Sequence, residues 1–112
     1  MSDQYARQAA LRPADTNEHQ LFSCPSSKQF QGVVSVCNQD TEDRTYSLAR
    51  CAAGHGDTAA DNADWRCFDT VIETGGTPHE ITVSMAATET IRVKAGVADK
   101  ISFVIEGLLM DA

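Results

Sequence analysis

Three consecutive runs decide the fold: Glu80-Ile-Thr-Val-Ser-Met85, Glu89-Thr-Ile-Arg-Val-Lys-Ala95 and Lys100-Ile-Ser-Phe-Val-Ile-Glu106. The first two alternate apolar with polar side chains, the period of a strand with one face in a core and the other in water. Their isoleucines, Ile81, Ile91 and Ile101, fall ten residues apart. That spacing suits short strands joined by tight turns in an all-β sandwich or barrel. It is too short for a helical solenoid, so it predicts a terminal meander and not an internal duplication.

Upstream, Gly75-Gly-Thr-Pro78 turns the chain into this unit, and Trp65 to Thr74 reads as a strand through Cys67, Phe68, Val71 and Ile72. Before it lies the longest irregular segment, Ala53 to Asp64, and long loops carry function more often than short ones. Thr45 to Ala52 is a strand, Asn38 to Asp43 a solvated turn, and Phe30 to Asn38 a β-branched strand bounded by turn residues. His19 to Cys24 is a short strand stopped by Pro25. Ser2 to Leu11 predicts a short helix capped by Ser2 or Asp3 and ended by Pro13. So short a helix needs something to pack on, which makes residues 1–13 a frayed terminus or an N-terminal arm reaching a neighbouring subunit. The expectation is an all-β fold: residues 14–112 as an antiparallel β-sandwich or jelly roll of about eight strands, preceded by that arm.

A chain of 112 residues is one domain with a modest core. Its formal charge of −7 speaks against a nucleic-acid partner, which calls for clustered Lys and Arg. The start, Met-Ser-Asp-Gln-Tyr-Ala-Arg, lacks a basic, then apolar signal peptide, and no run is long enough for a membrane helix. Synthesis in a cytosol with no membrane partner is the expectation, and there Cys24, Cys37, Cys51 and Cys67 stay thiols.

The cysteines are separated by 13, 14 and 16 residues, with no C-x-x-C pair, and the nearest histidines sit at no zinc spacing. Buried thiols on strands are the simplest account, and no metal is expected. Disulfides within or between subunits stay open, and Cys51 with Cys67, flanking the long loop, is the first pair to test. Asp57, Asp61 and Asp64 lack the alternate positions and terminal Glu of an EF-hand. His55, between two glycines, has no nucleophile elbow to serve, and no catalytic set can be assembled. Trp65, the one tryptophan, is a core aromatic or a stacking platform for a sugar.

Taken in order, Gln20-Leu-Phe-Ser-Cys-Pro25, Val33-Val-Ser-Val-Cys-Asn38, Thr45-Tyr-Ser-Leu-Ala49, Trp65-Arg-Cys-Phe-Asp69, Ile91-Arg-Val93 and Ile101-Ser-Phe-Val104 resemble a family of small β-sandwich structural proteins of tailed bacteriophages. The likeness runs from about Ala9 to Met110. Its motifs are short and degenerate, and their ordered combination carries it. Arg50, Cys51 and Cys67 depart from the family pattern, as does the segment before Ala9. The resemblance implies a non-enzymatic virion component without cofactor, made in the host bacterial cytoplasm. It would decorate the capsid or serve as a collar, neck or tail accessory. Its partners would be copies of itself and the major capsid protein or neck and tail proteins. Candidate contacts are Tyr5 and Leu11 on the arm, with His55 and Trp65 at the long loop. Cysteines oxidised after release from the cell would lock such an assembly. A glycan- or receptor-binding module using Ala53 to Asp64 and Trp65 is the alternative.

Overall fold

The computed structural model describes residues 4–55 and 57–111. Eight strands follow in order: β1 (Gln4–Leu11), β2 (Glu18–Ser23), β3 (Lys28–Asn38), β4 (Arg44–Cys51), β5 (Trp65–Ile72), β6 (His79–Met85), β7 (Thr90–Ala95) and β8 (Ile101–Asp111). They form two four-stranded antiparallel sheets, ordered β1-β8-β3-β6 and β2-β7-β4-β5. The pairs β1–β8, β2–β7, β3–β6 and β4–β5 are nested, so the chain is one long antiparallel ribbon. The β3–β8 and β4–β7 ladders roll that ribbon into two layers, which is a jelly roll.

Two expectations are corrected. The terminal strands do not form a meander, because β6 and β8 lie in one sheet with β3 between them while β7 lies in the other. Alternation at a ten-residue period specifies strands and turns; it does not specify whether a turn stays in its sheet or crosses the sandwich. The segment read as a helical arm is strand β1, paired with β8 from Gln4↔Leu109 to Leu11↔Phe103 with an irregularity between Arg7 and Ala9. The ladder satisfies its backbone groups, and Ala9 and Leu11 pack against the core, which outweighs the weak helix propensity of so short a segment. The expected boundary at residue 13 therefore cuts off a strand of the sandwich, and the proposed caps, Ser2 and Asp3, lie outside the described residues.

Phe30, Val34 and Val36 of β3 and Ile101, Phe103 and Ile105 of β8 meet Tyr46 and Leu48 of β4 and Ile91, Val93 and Ala95 of β7 between the sheets. The alternate residues of the predicted strands are the ones that face inward. Gly32 and Gly107 oppose each other at the centre of the β3–β8 ladder. A Cβ on Gly32 would overlap the Glu106 carbonyl oxygen, and one on Gly107 the Gln31 carbonyl oxygen, so this crossing admits only glycine.

Candidate functional site

The two sheets treat their outer faces differently. On β8 the outward residues are Ser102, Val104, Glu106, Leu108 and Met110, alternating with the inward Phe103 and Ile105. Tyr5 stands opposite Leu108, Ala10 opposite Val104, and Val33 opposite Glu106, so these share the outward face. Tyr5 is 65% exposed, and Val33, Val104, Leu108 and Met110 are half-buried. Among the described residues no connection is seen to fold back over this face, where Tyr5, Val33, Val104, Leu108 and Met110 stand among the polar Arg7, Gln31, Ser35 and Glu106.

The other sheet is covered. On β4 and β7 residues of both parities are buried: the inward set above, and the outward Ser47, Ala49, Cys51, Thr90 and Arg92. A strand is buried on both faces only when something covers each. The cover here is the β4–β5 segment, residues 52–64. Arg92 donates to Glu18 through Nε and to Asp57 through Nη1. Glu18 also accepts the Ala60 amide at 2.8 Å, and the Gly54 amide donates to Thr88 Oγ1 at 3.0 Å. Burial disfavours the Arg92 charge, but Glu18 and Asp57 outweigh it and raise the guanidinium pKa.

Beneath this cover Cys51, His55 and Asp64 converge, with a ligand atom of each within 4.8 Å of the others. The Asp61 amide donates to Asp64 Oδ2 at 3.0 Å, just ahead of a 3₁₀ turn at Asn62–Asp64. The Thr58 hydroxyl lies 3.2 Å from His55 Nδ1. Burial, despite an opposing contact with the Thr90 hydroxyl, pushes the Cys51 thiol pKa up. Thr90 is opposite Cys51 in the ladder, and its fully enclosed Oγ1 has no hydrogen-bond partner of good geometry.

Along the sheet edge, β5 carries a bulge: Phe68 and Asp69 together oppose Ser47, whose hydroxyl accepts the Asp69 amide at 2.9 Å. Asp69 takes a positive φ of 47° there. Phe68 and Val71 are 62% and 56% exposed, and Phe68 stacks edge-on against Trp65 at 5.6 Å between ring centroids. An open cleft lies between this edge and β6, bordered by Arg50, Arg66, Ile81 and Ser84. Arg50 is spent in part, donating to the Ser84 carbonyl at 2.7 Å.

The candidate contacts therefore separate. Tyr5 lies on the bare face, Leu11 packs on the core, His55 belongs to the covering segment, and Trp65 is a half-buried partner of Phe68. All four cysteines are free thiols, Cys24 and Cys51 buried and Cys37 and Cys67 half-buried. Cys51 and Cys67, the pair singled out from the sequence, face opposite sides of their sheet: Cys67 packs on the core and Cys51 under the cover. Cys67 instead lies beside the Tyr46 hydroxyl, which also meets His79 Nδ1 at 3.0 Å. Burial, with Cys67 adding to it, pushes the Tyr46 pKa up to about 12.

Sequence reasoning passed over Asp64 as a partner of Cys51, and the bare face around Leu108. The signals were a Cys-x-x-x-His step at residues 51–55 and the strand parity of β8, which places Leu108 and Met110 away from Phe103.

No family model, curated protein or solved structure matches the chain.

Proposed function

We propose that this chain is a non-enzymatic structural subunit of a tailed-phage virion that docks on the capsid surface through one sheet face. The observation that carries the docking is the inequality of the two faces. One is sealed by the chain's own β4–β5 segment, and the other presents Tyr5, Val33, Val104, Leu108 and Met110 to the surroundings. The virion itself comes from the ordered motifs of the sequence. The jelly roll suits the role, since capsid and lectin domains use it, and its core is filled by Phe30, Phe103, Leu48 and their neighbours. Burial of apolar area on a repeating lattice multiplies a modest single-site affinity.

Mass spectrometry of purified particles, quantifying this chain against the major capsid protein, tests the proposal. Hundreds of copies support a head or tail-tube lattice, whereas a dozen or so support the neck, collar or baseplate. Total absence sinks the virion assignment. Tyr5→Lys and Leu108→Glu should abolish particle binding without unfolding the domain.

The exposed Phe68 beside Trp65 favours a second function, glycan or receptor binding. It requires that Phe68→Ala abolish retention on a glycan surface while the bare-face variants retain it.

A further inference from the structure

We propose that Cys51, His55 and Asp64 bind one zinc ion, which fastens the β4–β5 segment to the outer face of the β2-β7-β4-β5 sheet. The site is independent of the assembly function and lies on the opposite side of the sandwich from the bare face.

The donor set is a thiolate, an imidazole and a carboxylate, the mixture that suits zinc better than calcium or magnesium. Zinc bonds of about 2.0–2.3 Å put tetrahedral ligands about 3.3–3.8 Å apart. The three donors already lie within 4.8 Å of one another, so side-chain rotations of about an ångström close the site. The secondary structure holds them from two sides. Cys51 ends β4 and is fixed by the β7 ladder, while His55 and Asp64 come from the segment that folds back over it.

Three features around the donors fit an ion. Thr90 is 1% exposed and stands opposite Cys51, and its hydroxyl lies beside the Cys51 thiol without a well-aligned hydrogen-bond partner. Such a group in a native interior calls for an explanation, and an outer-sphere donor to a metal thiolate or to a metal-bound water supplies it. The Thr58 hydroxyl at His55 Nδ1 is the second contact, of the kind that orients a ligating imidazole and assigns Nε2 to the metal. Finally, residues 51–65 contain Asp57, Asp61 and Asp64 and no Lys or Arg, while Arg92 beneath them is already matched by Glu18 and Asp57. A cation entering here meets net negative charge. As the sulfur–zinc bond forms, the thiol proton leaves to solvent, and a water completes the fourth position.

The test is cobalt and zinc titration of the full chain, reduced, stripped with chelator and dialysed. One cobalt per chain, with a sulfur-to-cobalt charge-transfer band that zinc abolishes, is the expected result. His55→Ala and Asp64→Asn should each weaken binding by more than the about 10–100-fold that loss of an outer-sphere partner costs. Cys37→Ser and Cys67→Ser should leave binding unchanged. Both loop variants alter the cover and not the core, and their strand-type circular dichroism should match the parent. Absence of a thiolate band with cobalt in excess overturns the proposal, because the ion then sits on surface carboxylates. Wild-type affinity in both loop variants overturns it as well, because the thiolate then comes from another site.

Discussion

Arg92→Met tests whether the outer face of the β2-β7-β4-β5 sheet is closed by a charge pair. The Arg92 side chain is 8% exposed, and its two partners differ sharply: Glu18 is 18% exposed and Asp57 is 71% exposed. Loss of the guanidinium leaves Glu18 enclosed with the Ala60 amide as its remaining hydrogen-bond donor among the described contacts. Breaking a buried pair from one side costs about 3–5 kcal/mol. Glu18 retains some solvent, so the lower end, about 3 kcal/mol, is expected. Asp57 is mostly solvated, and Asp57→Ala should cost less than about 1 kcal/mol. Removing both enclosed charges, in Glu18→Gln with Arg92→Met, should recover most of the loss, since an apolar replacement of a whole pair is often neutral. Urea unfolding in chelator reads these differences. With an m-value of about 1–3 kcal/mol per molar, Arg92→Met lowers the midpoint by about 1–3 M. A loss in Asp57→Ala equal to that in Arg92→Met would refute the reasoning, as would a double variant no better than the single one.

Four further outcomes follow from the same structure. Deletion of residues 1–11 removes β1, strips β8 of a ladder partner and uncovers the core beside Leu11 and Ala9, so the truncated chain should lose cooperative unfolding by circular dichroism. Thr90→Val removes a buried hydroxyl that has no good partner, and should raise the metal-free urea stability by about 1 kcal/mol where an ordinary Thr→Val change in a satisfied site lowers it. A thiol reagent applied to the native protein should label Cys37 ahead of Cys67, which packs on the core, and Cys24 and Cys51 only as the fold opens, with mass spectrometry of the peptides counting each. The Asp40 carboxyl, held by Arg44 Nε at 2.7 Å, titrates below the usual 3.8. Its contribution to stability is present above that value and fades as pH falls through the lowered pKa, and Asp40→Asn should remove this part of the acid slope.

Much of the sandwich was legible because alternation is local. Phe30, Val34 and Val36, and Ile101, Phe103 and Ile105, declare an inward face within their own strands. What could not be read locally was pairing. The segment Gln4–Leu11 has the composition of a weak helix, and only the presence of β8, a hundred residues away, makes it a strand. The same limit hid the Cys51 cluster. Its members are four and nine residues apart in the chain, and a loop with unknown direction gives no reason to bring Asp64 back over Cys51. The signal was present in β4 as a failure of alternation: Ser47, Ala49 and Cys51 are small or apolar where a water-facing side would carry long polar side chains. That pattern marks a covered face before any cover is seen.

Residue size on the two outer faces then accounts for what each can do. Ser47, Ala49, Cys51 and Thr90 leave a shallow floor on which the β4–β5 segment rests close to the sheet, anchored at Arg92. Tyr5, Val104, Leu108 and Met110 stand higher, and no segment of comparable length is left among the described residues to cover them: the other connections run four to six residues between strands. Among the described residues the one long connection is already committed to the first face. Under the assembly proposed above, the neighbouring subunit takes the place of that missing cover. The contact should therefore be dominated by side chains on the face and insensitive to substitutions in the β4–β5 segment, a separation that particle binding by His55→Ala and by Leu108→Glu would expose directly.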